Sequence, residues 1–495
     1  MQVRIAHDAP ENARAGALVV PAFSDTPFCN AARAADAALA GALTDVVESG
    51  EFKGKLCETT LVHAKERPFR RVLVVGLGDR SAFEPKLLAR YAGAAVRALG
   101  RKGIDDIAIT LPDEAANDPQ ACAAAVAEGA RTGVFETTLY QAKPERPLAV
   151  REVAILASEI DDAALERGMH RGVVTGEAVN LARRLAVTPA NDMTPTHLAD
   201  EATKACKDAG VAIDVRDAQW AREQNMGSFL SVAQGSAQPP KFIVMRYTGD
   251  TASKELLALV GKGITFDTGG ISLKPPERME DMKYDMSGGA GVIAAIWAIG
   301  KLKPRVNVVG IVPATENMPG GHATKPGDVV KAMNGKSIEI INTDAEGRLI
   351  LADALCYANA LGATRIVDAA TLTGACVVAL GHVTAALVSN DDAFAERFLA
   401  CAQPTGERFW RMPLYDEYGD QMKSDIADLK NTGGRDGGVL TAAAFLKPFA
   451  GDTPWVHLDI AGTAYLDRAS AWSAKGPTGV PVRSFLAIAQ ELSKT

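Results

Sequence analysis

A short acidic segment of the sequence has residue types and a spacing that favour cation binding. Asp344 and Glu346 are two residues apart, between the strand-like run 337–341 and the helical run 349–358. Two side chains at this spacing project to the same side of a strand. Two carboxylates this close repel each other, so keeping both ionised costs free energy unless a cation lies beside them. Arg348 would supply one positive charge, whereas a divalent metal ion would supply two.

A second segment places further ionisable groups in glycine-rich loops that follow apolar, strand-like residues. Lys262 lies between Gly261 and Gly263, Asp267 is followed by Thr-Gly-Gly, and Asp285 precedes Ser-Gly-Gly. Lys262 and Asp267 are five residues apart, so a regular strand would point them to opposite faces. The flanking glycines must therefore re-aim one of the two, because glycine adopts conformations that other residues avoid.

Together the two segments carry an excess of negative charge. The carboxylates are Asp267, Asp285, Asp344 and Glu346, and the basic groups are Lys262, Lys274 and Arg348. Two divalent cations would neutralise these carboxylates, and oxygen-rich ligands that bridge two ions about 3.5–4 Å apart are typical of two-metal hydrolases. The seven histidines include no His-Glu-x-x-His pattern, so a hydrolytic metal site here would be based on carboxylates.

The alternative for each charged residue is an ordinary solvated surface or ion pair. Glu280, Asp281 and Lys283 are interpreted as such a solvated face. Three histidines outside the two segments are interpreted as structural or surface residues, namely His197, His322 and His382. The setting favours function for the acidic set, because its members lie in glycine-rich loops directly after apolar strand-like runs.

Apolar periodicity predicts an α/β protein of two domains. Residues 1–158 are assigned to a smaller N-terminal α/β domain, residues 159–190 to a linking helix, and residues 191–495 to a larger C-terminal domain. In the larger domain strand-like and helical segments alternate, which predicts a mostly parallel central sheet flanked by helices. Ligand sites in such sheets lie at the carboxyl ends of the strands.

The first domain contains one glycine-rich turn, Val75–Asp79, which resembles the start of a dinucleotide-binding loop. It lacks the full spacing of that motif, so a plain strand-to-helix turn is favoured. A nucleotide or ADP-ribose-like ligand of this domain is kept as an alternative.

Composition narrows the classes of protein to consider. The net charge is −7 and the pI about 5.7, which weighs against general electrostatic binding of nucleic acid. No apolar run is long enough to span a bilayer, and no secretory leader is recognised. The seven cysteines form no Cys-x-x-Cys pair, which favours reduced thiols in a cytoplasmic protein.

The residues around the acidic groups resemble the leucyl (cytosol) aminopeptidase family of metallopeptidases. The segment Asn342–Leu349, Asn-Thr-Asp-Ala-Glu-Gly-Arg-Leu, is identical to the signature of that family, and residues 261–289 are similar to its other metal-binding loop. Further similarity lies at Thr371–Cys376 and His457–Gly462. The resemblance covers residues 180–490, whereas the first domain is similar only in architecture.

The resemblance implies a pair of divalent metal ions. One metal would be held by Lys262, Asp267, Asp285 and Glu346, and the other by Asp267, Glu346 and Asp344, which adds its backbone carbonyl. The family is usually a homohexamer that uses zinc, with one site exchanging for manganese or magnesium.

The resemblance also implies roles for residues around the metals. Lys274 would polarise the scissile carbonyl and stabilise the oxyanion, and Arg348 would hold a bicarbonate ion that serves as general base. Met282, Thr371 and Gly374 would line the pocket for the first side chain of the substrate.

The predicted function is therefore a cytoplasmic metalloaminopeptidase. It would hydrolyse the N-terminal peptide bond of peptides that begin with leucine or other residues, through a water activated by two metals. Its partners would be peptides with a free N-terminus, and no membrane is expected. Some bacterial relatives also act as sequence-specific DNA-binding or recombination accessory proteins, which is the alternative, although the acidic net charge makes nucleic acid an unexpected partner.

Overall fold

The computed structural model describes residues 1–25, 28–65, 67–142, 147–157 and 161–493. They divide into two compact units, one of Met1–Asn180 with Asp467–Lys475 and one of Leu181–Leu466 with Gly476–Thr495. The domain boundary predicted between residues 158 and 159 lies outside the described residues. The segment predicted as a linking helix contains the helix Asp162–Val187.

The first unit is an α/β structure. Its described strands are β1 (Gln2–Ala6), β2 (Ala17–Phe23), β3 (Thr59–His63), β4 (Arg71–Gly78), β5 (Asp106–Thr110) and β6 (Glu152–Leu156). Its described helices are α1 (Asn30–Ala38), α2 (Ala42–Glu48), α3 (Leu87–Gly100), α4 (Pro119–Gly133) and, as far as Asn180, α5 (Asp162–Val187). The strand order is β1-β6-β5-β2-β4-β3, parallel except for the edge strand β3. Every residue of β2 is buried, as expected of a strand covered on both faces.

The second unit carries the acidic segments. Its described strands are β7 (Ala212–Arg216), β8 (Lys241–Thr248), β9 (Leu257–Gly261), β10 (Gly263–Asp267), β11 (Asn307–Asn317), β12 (Val329–Lys331), β13 (Ser337–Glu339), β14 (Arg365–Ala370), β15 (Ala385–Ser389), β16 (Phe409–Arg411), β17 (Leu429–Lys430), β18 (Trp455–Asp459), β19 (Tyr465–Leu466) and β20 (Gly476–Pro477). Its described helices are α6 (Pro195–Ala209), α7 (Ala218–Glu223), α8 (Gly227–Ala233), α9 (Ser287–Leu302), α10 (Gly347–Ala360), α11 (Gly374–Leu380), α12 (Asp392–Ala402), α13 (Asp416–Asp420), α14 (Gly438–Ala450) and α15 (Val482–Leu492).

The main sheet of the second unit has the order β16-β15-β18-β14-β9-β11-β8-β7, and β10 pairs with β11. The central strands β18, β14, β9 and β11 are parallel, and antiparallel pairs occur towards the edges. Helix α9 packs on one face, and α8, α10 and α14 share an apolar core with the other. The predicted mostly parallel sheet flanked by helices is confirmed.

The strand-like run 337–341 departs from the prediction in length and in place. Only Ser337–Glu339 is strand, and it pairs with β12 and β17 in a small separate sheet. The backbone N–H of Ile341 donates instead to Asn431 Oδ1 at 2.8 Å, so a side chain takes the place of a neighbouring strand. The acidic segment therefore leaves the small sheet and enters α10 through a turn.

A buried carboxylate fixes helix α10. Asp353 is fully buried, and its two oxygens accept hydrogen bonds from the backbone N–H groups of Phe229 and Met333, each at 2.7 Å. Burial raises the pKa of Asp353 to about 7, against the hydrogen bonds, which lower it. This side chain ties α8 and the turn after β12 to α10.

We expect an Asp353→Asn variant to change how stability depends on pH. The folded-state pKa of about 7 exceeds that of an unfolded Asp, about 3.9, so the stability from this group is present at low pH and is lost as pH rises. Wild type should lose up to about 1.4 kcal/mol per pH unit relative to the variant between about pH 4 and pH 7. Urea unfolding at several pH values measures the difference. A difference that does not vary with pH would contradict the assignment.

Candidate metal centre

Some of the charged groups predicted from sequence lie at or after the carboxyl ends of β9 and β10, and the others lie in or next to the turn that leads from β13 into α10. Lys262 separates β9 from β10, and Asp267 is the last residue of β10. Asp285 lies directly before Met286 and α9, after a short 3-10 helix. Asp344 lies in the turn before α10, and Glu346 precedes the first residue of that helix. The structure thus brings the five predicted metal ligands to one edge of the sheet.

Glycines allow the backbone and the amine of Lys262 to pack tightly. A Cβ at Gly261 would lie 2.5 Å from the backbone oxygen of Gly288, and one at Gly288 would lie 2.0 Å from that of Ala369. A Cβ at Gly347 would lie 2.7 Å from Lys262 Nζ. The first turns of α9 and α10 can therefore approach this lysine only because side chains are missing there.

The carboxylates of Asp267, Asp344 and Glu346 converge although two of them do not lie in a strand. One oxygen of each lies within 4.8 Å of the others. Asp344 is held in its turn by a hydrogen bond from its backbone N–H to Asn342 Oδ1 at 2.9 Å. The turn, rather than strand alternation, brings Asp344 and Glu346 to the same side.

Each lysine amine lies between two carboxylates. Lys262 Nζ is 2.8 Å from Asp285 Oδ2 and 2.7 Å from Glu346 Oε1. Lys274 Nζ is 2.8 Å from Asp267 Oδ2 and also forms an ion pair with Asp344 Oδ1. The site thus contains two neighbouring positions at which a positive charge is held by a carboxylate pair.

The pKa shifts reflect an excess of carboxylates over amines. Burial raises the pKa of Asp285, Glu346 and Asp344, and neighbouring carboxylates raise it further. Burial opposes the charge of Lys262 and Lys274, but the carboxylates outweigh it and the pKa of each amine lies above its usual value. The amines are charged and the acids still repel one another, so the site favours additional positive charge.

Three carboxylate oxygens accept no hydrogen bond from the described residues. They are Asp285 Oδ2, Asp344 Oδ1 and Glu346 Oε1. A lysine amine lies at ion-pair distance from each, so a cationic group is the only partner of these oxygens in the described part of the chain. Buried oxygens are normally hydrogen-bonded, and an oxygen-rich set suits hard divalent cations. The donors therefore fit metal ions.

Arg348 places a buried guanidinium beside the carboxylates. Its Nη1 donates to the backbone oxygen of Asn431 at 2.9 Å, and its Nε has no hydrogen-bond partner in the described part of the chain. Burial lowers the pKa of Arg348 to about 10, although Glu346 and Asp459 favour the charged form. The group is charged at neutral pH and has an unused donor, which suits a small anion.

Of the three residues predicted to line a substrate pocket, Thr371 contacts the charged groups directly. Thr371 Oγ1 donates to Asp285 Oδ1 at 2.7 Å, and the Thr371 backbone oxygen accepts from Lys262 Nζ at 3.0 Å. Gly374 begins α11, and a Cβ there would have no described atom within 4 Å. Met282 lies half-buried in the 3-10 helix before Asp285.

Sequence analysis missed the uncharged and buried groups that support the site. Asn317, Asn431 and Asp459 are all buried, and Asp459 Oδ2 accepts a hydrogen bond from Thr373 Oγ1 at 2.6 Å. Asp459 lies in the similar segment His457–Gly462, which was a usable signal. The two asparagines stand in no local pattern that marks them.

Comparison with known families assigns the chain. The model of the cytosol aminopeptidase family catalytic domain matches residues 180–486, and the model of the N-terminal domain of that family matches residues 19–144. The chain belongs to the cytosol aminopeptidase family. Its second unit corresponds to the matched catalytic domain, so the acidic cluster lies in the catalytic part of a peptidase.

Individual relatives agree over nearly the whole length of this peptidase. The probable cytosol aminopeptidase of Solibacter usitatus is 48% identical over 496 residues, covering 99% of this chain and 99% of the relative. That of Acidobacterium capsulatum is 48% identical over 454 residues, covering 91% of this chain and 89% of the relative.

Solved structures share the fold of this peptidase. A mutant of tomato leucine aminopeptidase has a TM-score of 0.90 and 34% identity, covering 99% of this chain and 96% of the other. The bottromycin maturation enzyme BotP in complex with Mn has a TM-score of 0.85 and 33% identity, covering 97% and 100%.

These comparisons confirm the family resemblance, the two-domain α/β fold and the prediction of a peptidase enzyme. They lend no support to the alternative of DNA binding. Among the described residues, no helix combines the length and the apolar character needed to cross a bilayer.

Proposed function

We propose that the chain removes N-terminal residues from peptides as a metalloaminopeptidase with two divalent cations per subunit. The observation that supports this most directly is the buried carboxylate cluster, in which three oxygens accept no hydrogen bond from the described residues. Membership of the cytosol aminopeptidase family agrees with this proposal.

The proposed cation ligands are those named from the sequence. One cation would be held by Lys262, Asp267, Asp285 and Glu346, and the other by Asp267, Glu346 and Asp344 with its backbone carbonyl. When bound, the cations supply Lewis-acid stabilisation and a nucleophilic water. Lysine is a ligand only as a neutral amine, so Lys262 Nζ must release its proton when the site is filled.

Two basic residues would act on the reacting peptide rather than on the cations. Lys274 keeps its proton and donates a hydrogen bond to the carbonyl oxygen as negative charge develops there. A well-placed donor of this kind is worth about 3–4 kcal/mol. Arg348 would hold a bicarbonate ion through its unused Nε–H, and that anion would supply a general base beside the substrate.

The location of cleavage follows from where the substrate amine binds. A free α-amine directed at the cation centre leaves the first peptide bond beside Lys274 and Arg348, which favours aminopeptidase over endopeptidase cleavage. Met282, Thr371 and Gly374 would contact the first side chain. The open space beside Gly374 is compatible with leucine and with other residues.

The finer properties of the enzyme are proposals that rest on the family resemblance. We propose zinc as the usual metal, with one site that exchanges for manganese or magnesium. The bottromycin maturation enzyme is described as a complex with Mn, which agrees with an exchangeable site. We also propose that the enzyme is a homohexamer that acts in the cytoplasm.

The proposal predicts cation-dependent hydrolysis that needs a free amine. Metal-free protein titrated with Mn²⁺ should bind two ions per chain and should then release p-nitroaniline from leucine p-nitroanilide. The N-acetylated compound should not be cleaved, because its blocked nitrogen cannot ligate a cation. Calorimetry measures the stoichiometry and absorbance measures the release.

The blocked substrate is also the control for contaminating endopeptidases. Cleavage of both compounds at similar rates would contradict an aminopeptidase. Full activity in the presence of a strong chelator, or fewer than two ions per active chain, would contradict the dinuclear centre.

A further inference from the structure

Strands β10 and β11 end side by side at two polar residues. Asp267 and Asn317 are paired across the strands, and the register shifts between Ile264 and Asp267. Asn317 is 4% exposed, and its backbone oxygen accepts hydrogen bonds from the N–H and the hydroxyl of Thr268, both at 2.9 Å. Asn317 is therefore held firmly at the base of the acidic cluster.

The side-chain amide of Asn317 joins the two loops that carry acidic residues. Its Nδ2 donates to Asp267 Oδ1 at 2.8 Å and to the backbone oxygen of Thr343 at 3.0 Å. A primary amide has two N–H donors, so both are engaged. One reaches a carboxylate of the cluster, and the other reaches the residue that precedes Asp344.

These contacts fix which oxygen of Asp267 is available. Asp267 Oδ1 also accepts a hydrogen bond from the backbone N–H of Gly269 at 2.9 Å, whereas Oδ2 lies 2.8 Å from Lys274 Nζ. Two N–H donors thus orient the carboxylate through Oδ1. The other oxygen is turned to the side on which Asp344 lies.

Hydrogen bonds through Thr343 hold the same two loops at a fixed spacing. Thr343 Oγ1 donates to the backbone oxygen of Gly269 at 2.6 Å and accepts from the N–H of Ser272 at 2.8 Å. Asn317 adds the connection that ends on the carboxylate of Asp267 itself. Its loss would leave Asp267 Oδ1 with one of its two N–H donors, that of Gly269, while the Thr343 contacts remain.

We infer that Asn317 is a positioning residue that sets the orientation of Asp267 and its distance from Asp344, and thereby the affinity for the cation between them. This inference rests on the proposed dinuclear centre. Hydrogen-bond partners that orient metal ligands typically change metal affinity by about 10–100-fold. We expect an effect of that size at the cation that Asp344 also ligates, and a smaller effect at the other cation, which shares Asp267 as a ligand.

The test is calorimetric titration of metal-free Asn317→Leu protein with Mn²⁺. Leucine has a similar size and no hydrogen-bond donor. Wild type should show two binding events per chain, and the variant should bind one ion about 10–100-fold more weakly. Asn317→Ser, in which the shorter side chain cannot reach both acceptors, is expected to show the same loss and serves if leucine prevents folding.

A matched control separates positioning from a general loss of stability. Asn359 in α10 also donates through Nδ2 to two backbone oxygens, those of Phe449 at 3.0 Å and Ala450 at 2.9 Å. Asn359→Leu should lower the melting temperature of the metal-free protein, yet both binding events should stay as in wild type.

The outcomes separate this inference from the proposed function. Two wild-type-like binding events in both Asn317 variants would overturn the inference alone. Equal weakening in the Asn317 and Asn359 variants would also overturn it, because the effect would then be general. Failure of wild type to bind two ions would overturn the dinuclear centre together with this inference.

Discussion

The Glu346→Gln variant is expected to lose bound cation and to hydrolyse leucine p-nitroanilide about a thousandfold more slowly than wild type. Glu346 is 2% exposed, and its Oε1 lies 2.7 Å from Lys262 Nζ without accepting a hydrogen bond. Glutamine keeps the shape but removes the charge that a bridging ligand supplies. Lewis-acid stabilisation is worth several kcal/mol, and each 1.36 kcal/mol is a factor of ten in rate.

Glu280→Gln is the matched control for this variant. Glu280 is an exposed residue of the 3-10 helix before Asp285, so its loss removes an acid of the same type from the same region. We expect normal cation content and rate. Elemental analysis of the purified proteins measures the metal. A Glu346→Gln enzyme with two cations and the wild-type rate would exclude Glu346 as a bridging ligand.

Local sequence patterns marked the charged residues that the structure brings together. Asp267 and Asp285 were marked by glycine-rich loops after apolar runs, and Asp344 and Glu346 by their spacing. The prediction that strand alternation points Asp344 and Glu346 to the same side is wrong, because the strand ends at Glu339 and a turn orients the two residues. The loop composition marked residues that the structure brings together, while their geometry depends on tertiary contacts with Asn342 and other side chains.

The uncharged partners could not be found in the same way. Asn317 acts across a strand pair whose register shifts next to Asp267, and a register shift leaves no periodic signal in the sequence. Asn431 directly follows β17. Its backbone oxygen accepts a hydrogen bond from Arg348, which lies 83 residues earlier in the chain. Single polar residues at the ends of strands are common, so only the folded arrangement distinguishes these two.

The extent of the compact units was also beyond sequence reasoning. Residues Asp467–Lys475 group with the first unit although they lie near the end of the chain. Apolar periodicity reports which face of an element is buried, but not which other segment covers it. The composition of this short segment does not mark it as a linker, so its place in the first unit is recognised only from its contacts in the folded protein.

The Lys274→Met variant should keep both cations and lower kcat by about 10²–10³-fold, the usual cost of removing one oxyanion donor. Burial disfavours the charge of Lys274, but Asp267, Glu346 and Asp344 outweigh it and keep its pKa above the usual value. The amine therefore remains protonated at neutral pH and can donate to an oxyanion. Methionine fills a similar volume without the charge. Steady-state kinetics with leucine p-nitroanilide and elemental analysis measure the two quantities.

The same substitution at Lys262 provides the decisive comparison. The two amines have similar surroundings, since each lies between two carboxylates. If Lys262 is a ligand and Lys274 is not, Lys262→Met loses a cation whereas Lys274→Met does not. Because both variants remove one amine that is charged in the metal-free protein, a difference in cation content reports the role of the amine rather than the loss of charge. Loss of a cation in both variants would mean that Lys274 supports the metal centre, and a wild-type kcat in Lys274→Met would mean that no oxyanion depends on it.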